Sequence, residues 1–213
     1  MITPCEKLYE TTKDTAQKTA QLIVSSPLRR TMETMLIGLK DLKDRLDAQG
    51  QPVILLDTLQ EVDRKACHTP LSPAELLRCS NDEMFSSLDF STLSEGYASK
   101  DGIFDPVNAS ERAKQVRRWL RDRLEREIVV VAHHDILKHI VDGQLSDRAW
   151  ENTEVRVFTF HSKDDDDASL MEIDISSLKK DDTGEPTSSE MKVQRLRHTL
   201  RRTEGRQRIH TIV

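Results

Sequence analysis

The sequence holds little that would suit an oxidising or membrane-bound setting. Its three cysteines, Cys5, Cys67 and Cys79, show no CxxC spacing, and no apolar stretch of secretory type accompanies them. That excludes a disulfide scaffold and fits a reducing compartment, cytoplasmic or nuclear. No apolar run approaches the length of a bilayer span, so no membrane partner is expected. Positive charge is not in excess either: 32 Lys and Arg stand against 37 Asp and Glu, a net charge of −5. This balance argues against nucleic acid or an anionic membrane surface as a partner of the whole chain. There is no internal repeat.

What is present is a modest supply of apolar residues, 36% against 32% charged in 213 residues, enough for one α/β domain with an appendage. Three short aliphatic runs stand out: LIVSS at 22–26, VILLDTL at 53–59 and EIVVVAHH at 127–134. None alternates apolar with polar residues, which suits strands buried on both faces of a parallel sheet. Between them, apolar positions recur at helical spacing over 31–47 (Met32, Met35, Leu36, Leu39, Leu42, Leu46) and 109–125 (Ala113, Val116, Leu120, Leu124), with a shorter helix at 73–78. The pattern predicts an α/β three-layer sandwich around a mostly parallel central sheet. Residues 1–160 form the expected domain. Residues 161–213 are expected to add an acidic turn, an alternating edge strand in SLMEIDIS, a polar linker in KKDDTGEPTSSE and a basic tail on a helical or disordered pattern.

Three segments at strand ends carry chemistry. In SSPLRRTMET, Ser26 is a candidate N-cap and Pro27 a candidate first helical residue, which sets Arg29 and Arg30 in the first turn. The helix dipole disfavours cations there unless an anion is near, and exposed N–H groups with a forked guanidinium can hold phosphate. The alternative is that both arginines face solvent or pair with acids such as Glu33. In VVVAHHD, a buried strand runs into His133 and His134; strand alternation predicts opposite directions for the two, so that one serves a site and the other caps a helix or sits in the core. A metal set drawn from His133 or His134 with His139 and His68 lacks recognisable ligand spacing, and neither metal nor cofactor is expected. In LQEVDRKACHT, Glu61 follows another strand end, where a carboxyl can act as general acid or simply lie at the surface.

Taken in order, SSPLRRTMET, LQE followed by ACHT, and EIVVVAHHDIL resemble the histidine phosphatase superfamily, the phosphoglycerate mutase-like proteins. WENTEVRVFTF at 150–160 is similar in particular to fungal members. The resemblance implies that Arg30 binds phosphate, that His133 contacts the phosphoryl group, that Glu61 delivers a proton, and that the partner is a small phosphorylated ligand. It also implies a first strand ending in Arg-His-Gly, whose histidine is the nucleophile, and this tripeptide occurs nowhere in the chain. The first strand is therefore expected to be missing: ITPCEKLYETTKDTAQ resembles the segment that normally follows it. A late start and a degenerate protein are the two explanations. As given, the chain is expected to be impaired as a phosphatase. The alternative is a noncatalytic relative that binds a phospholigand or a protein, such as an accessory in a fungal small-molecule biosynthetic pathway.

Overall fold

The computed structural model describes residues 2–79, 83–141, 149–173 and 209–212. The linker and most of the basic tail lie outside these residues. Helix α1 (Pro4–Thr12) opens on a reciprocal cap, with the Thr3 hydroxyl accepting from Glu6 N and the Glu6 carboxylate accepting from Thr3 N, and Pro4 at its first position. There follow α2 (Ala16–Thr19), β1 (Leu22–Ser25), α3 (Arg29–Gly38), α4 (Lys40–Asp47), β2 (Ile54–Leu55), α5 (Pro73–Cys79) and α6 (Ala109–Arg121). The chain then forms β3 (Glu127–Val131), α7 (His134–Ile140), β4 (Arg156–Phe160), β5 (Leu170–Ile173) and β6 (Ile209–Ile212).

The three aliphatic runs become the parallel strands β2, β1 and β3, in register from Leu22 against Ile128 to Ser25 against Val131. Successive side chains point to opposite faces of a strand, and this sorts the core into two layers. Leu22, Val24, Ile128 and Val130 pack with Val116 and Leu120 of α6 and with Ile136 and Ile140 of α7. Ile23, Val129 and Val131 pack with Leu8 of α1, Met32 and Met35 of α3, and Leu42 and Leu46 of α4. The result is an α/β three-layer sandwich. Its six-stranded sheet runs β2-β1-β3-β6-β4-β5, with β6 parallel to β3 and β4 antiparallel to both its neighbours. The alternating segment lies at the sheet edge as β5, where one solvated face is tolerated.

The interior place beside β3 is filled from the far end of the chain. Residues 209–212, part of the tail whose pattern suggested a helix or disorder, pair with both β3 and β4 and satisfy backbone groups that would otherwise stand open. Three further elements are shorter than their sequence pattern: the 109–125 helix ends at Arg121 and leaves Leu124, expected on its apolar stripe, 94% exposed. The 53–59 run yields only a two-residue strand before a 3-10 turn at Asp57–Leu59. The 31–47 helix breaks at Leu39, whose φ of −118° and ψ of 27° end α3 and begin α4.

Gly38, just before that break, sits against α1: a Cβ there would lie 2.7 Å from Leu8 Cδ2. Leu8 is fully buried and has little room to yield. Gly38→Ala is therefore expected to destabilise the fold by about 1–3 kcal/mol through overpacking. Urea unfolding reads this as a lowered midpoint; an unchanged midpoint would show that the α1–α3 contact relaxes freely.

Candidate functional site

Strand β1 hands the chain to the site through Ser26, whose N–H donates to Val131 O at 2.9 Å and so ties the ends of β1 and β3 together. The helix starts later than the sequence suggests: α3 begins at Arg29 with Leu28 as its N-cap. Ser26, the expected cap, instead accepts a long hydrogen bond from Leu28 N, at 3.4 Å, and holds His133. The Thr31 hydroxyl donates toward the carbonyls of Ser26 and Leu28 and tightens the turn. The two arginines then divide. Arg29 pairs with Glu33 one helical turn on, at 2.7 Å. Arg30 points to the cleft and donates from Nη1 to the Cys67 carbonyl at 2.6 Å. Desolvation pulls the Arg30 pKa down, and Glu61, Cys67 and Asp63 oppose the shift.

His133 is the N-cap residue of α7 and is buried, with Nε2 2.9 Å from Ser26 Oγ. Burial, and then the charges of Arg30, His68, Lys100 and Arg112, hold its pKa well below the usual histidine range. It is neutral at pH 7 and offers a fixed dipole. His134 is the first residue of α7, and its Nδ1 lies 3.2 Å from both the carbonyl and the N–H of Trp150. Both histidines line the same cleft, contrary to the expectation that they diverge. Strand alternation ends with Val131, and the turn into the helix brings the two side chains to one rim.

Glu61 is buried, and its Oε1 accepts from Val62 N at 2.9 Å and Ile136 N at 3.2 Å. The second bond satisfies an open N–H in the first turn of α7, where a negative charge is favoured. Behind it lie two buried cations. Lys100 Nζ donates to the Glu61 carbonyl at 2.5 Å, and desolvation lowers its pKa to about 8, with Arg112 adding to the shift. Arg112 of α6 is fully buried, its three guanidinium nitrogens make no hydrogen bond among the described residues, and desolvation lowers its pKa to about 10 against the attraction of Glu61 and Asp57.

Lys100 gives a pH signature. Its folded pKa of about 8 lies below its free value of 10.5, so unfolding takes up a proton between those values and stability rises with pH across that window. The stability of the wild type relative to Lys100→Met is expected to be flat below pH 8 and to increase from pH 8 toward 10.5. Urea unfolding at pH 7, 9 and 10 measures this, and a constant difference would contradict the burial of a charged Lys100.

Arg30, Glu61 and His133 thus come from three different strand ends to one cleft of about 610 Å³, which His68, His134 and Trp150 also line. Placement at the carboxyl ends of parallel strands follows the general rule for open α/β sheets. His139 stands elsewhere, its Nδ1 3.1 Å from Ser110 Oγ, so the histidines weighed as a metal set do not converge. Among the described residues, no three His, Cys, Asp or Glu side chains group as a metal site would require. Sequence reasoning misses the pairing of His68 Nδ1 with the Asp63 carboxylate. The available signal is a histidine five residues after an aspartate in a loop that follows a strand end.

A family model described as the histidine phosphatase superfamily (branch 1) matches residues 6–175, most of the chain. The protein belongs to that superfamily. No curated protein and no solved structure matches it. Among the described residues, no helix is long and apolar enough to cross a membrane.

Proposed function

We propose that this is a phosphoglycerate mutase-like domain of phosphatase type whose cleft takes a phosphomonoester. The observation that carries the reading is the convergence of Arg30, Glu61 and His133 from separate strand ends on one cleft. Arg30 grips phosphate oxygens, because its bond to the Cys67 carbonyl, the one it makes among the described residues, leaves other guanidinium N–H groups for a ligand. Neutral His133 contacts the phosphoryl group as a dipole. Glu61 is placed to meet the leaving oxygen while its Oε1 holds the start of α7. A cleft of about 610 Å³ leaves space for an organic portion, against a wall that includes Ile37, Leu137 and Trp150.

The residues given contain no Arg-His-Gly, so the histidine that the family uses as nucleophile is not among them. The same observation favours a second reading, a noncatalytic relative that binds a phospholigand or a protein partner and shows no turnover. Calorimetric titration with inorganic phosphate and with vanadate tests the shared claim: saturable binding at one site per chain is expected. No binding at millimolar concentration would overturn both the phosphatase and the phospholigand readings.

A further inference from the structure

The guanidinium assigned to phosphate and part of the cleft's apolar wall belong to one face of one helix. Arg30, Thr34 and Ile37 of α3 follow at i, i+4 and i+7, the spacing of a single helical face, and all three line the cleft. The opposite face carries Met32 and Met35 into the core. Two turns separate Arg30 from Ile37, about 10 Å along the helix axis. The Arg30 end is polar, with Glu61 near enough to act on the guanidinium and His133 near enough to feel it. Toward the other end the start of α1 reaches α3, where the side chains of Cys5 and Thr34 are hydrogen-bonded, and Pro4 and Cys5 line the cleft.

The Ile37 end differs in kind. Ile37 is 53% exposed and Pro4 is exposed, although both lie in a concave surface. Leu137 of α7 and Trp150 add apolar surface from other elements. Apolar side chains grouped in a cleft gain from being covered by an apolar ligand. Charge there is already balanced: Glu33 is held by Arg29 at 2.7 Å, and Glu151 faces Lys7 at 3.7 Å. Among the described residues that line the cleft, Arg30 is the one Lys or Arg, against Glu33, Glu61 and Glu151. A second anionic group on the ligand finds no unshared cation and meets carboxylates instead. Hydroxyls are engaged too, since Thr34 donates to the Arg30 carbonyl at 2.9 Å and Thr153 to the Asn152 carbonyl at 2.6 Å.

We infer that the cleft selects phosphomonoesters of uncharged, apolar alcohols or phenols, and that Ile37 is a residue that sets this preference. The inference rests on the phosphomonoester reading of the cleft and narrows it to one substrate class. With phosphate on Arg30, the organic portion lies along α3 and covers Ile37. Phosphorylated acids, bisphosphates and sugar phosphates are disfavoured, because each brings charge or hydroxyl groups to a surface that offers them no open partner.

The experiment is calorimetric titration of the full chain with inert phosphonates, so that binding is read apart from turnover. The probes are methylphosphonate, octylphosphonate, whose chain is long enough to reach Ile37, and 8-phosphonooctanoate, a chain of the same kind ended by a carboxylate. Octylphosphonate is expected to bind about tenfold or more tighter than methylphosphonate, since each fully buried methylene can add up to about fourfold. It should also bind tighter than 8-phosphonooctanoate and be displaced by inorganic phosphate. Ile37→Ser should remove most of the octyl preference while leaving the inorganic phosphate Kd within about twofold, because the two ends of the cleft are two helical turns apart. Ile37→Lys should invert the order of the two long probes by supplying a cation for the carboxylate. Equal affinities for octylphosphonate and methylphosphonate overturn the inference, as does an octyl preference that survives Ile37→Ser, tighter wild-type binding of 8-phosphonooctanoate, or octyl binding that phosphate does not displace. Each of these outcomes leaves phosphate binding at Arg30 intact. Failure of inorganic phosphate to bind the wild type rejects the phosphomonoester reading itself, and the inference with it.

Discussion

Arg30→Ala is expected to weaken phosphate or vanadate binding by tenfold or more, equivalent to about 1.5–3 kcal/mol for a lost hydrogen bond to a charged group. The adjacent arginine provides the control. Arg29 is held by Glu33 at 2.7 Å on the outer side of α3, and Arg29→Ala should leave the affinity within about twofold. Among the described residues no carboxylate bonds Arg30: its hydrogen bond goes to a neutral carbonyl, and Glu61 and Asp63 act on it through their fields. Arg30→Lys should give an intermediate loss, because an ammonium keeps the charge and surrenders the two-pronged geometry. Arg30 is exposed at the start of its helix, so the fold should survive either change, and calorimetry at fixed ionic strength reads binding directly. Equal affinities for Arg30→Ala and wild type would remove the guanidinium from the ligand site.

Much of this arrangement is legible in the sequence because it depends on local pattern. Continuous aliphatic runs mark β1 and β3, helical spacing marks α3, α4 and α6, and the residues just past the strand ends are those that meet in the cleft. The parts that were not legible depend on partners distant in the chain. The four residues of β6 gain their place only by pairing with β3 and β4, and nothing in a basic tail announces that pairing. Alternation misassigned His133 and His134 because it holds only while the chain stays extended, and the strand stops at Val131. Arg112 lies next to Ala113 on an amphipathic helix and would be taken for part of the charged face. Instead it is fully buried, drawn in beside a carboxylate from another element. The Asp63–His68 pair escaped for a related reason: side chains in an irregular loop have no periodicity from which a direction can be read.

Glu61 is where the largest loss of stability is expected. Glu61→Ala removes the acceptor for Val62 N and Ile136 N and takes away the nearest negative charge from two buried cations, Lys100 and Arg112. Breaking one side of a buried ionic group typically costs about 3–5 kcal/mol, since the remaining charge stays desolvated. Glu61→Gln should cost less, because the amide oxygen can still accept from α7 while the charge is gone. The source of the loss can be isolated through Arg112. Its guanidinium makes no hydrogen bond among the described residues, so Arg112→Met removes a desolvated charge while Lys100 still faces Glu61. In the Arg112→Met background the cost of Glu61→Ala should shrink, with a coupling of about 0.5–3 kcal/mol in a double-mutant cycle read by urea unfolding. Strict additivity would mean that Arg112 takes no part in the effect, which then falls to the lost cap on α7 and to Lys100. A positive coupling means instead that the carboxyl beside His133 is held in place by cations on its inner side, so that the charge balance of the core and the geometry of the cleft are set by one residue.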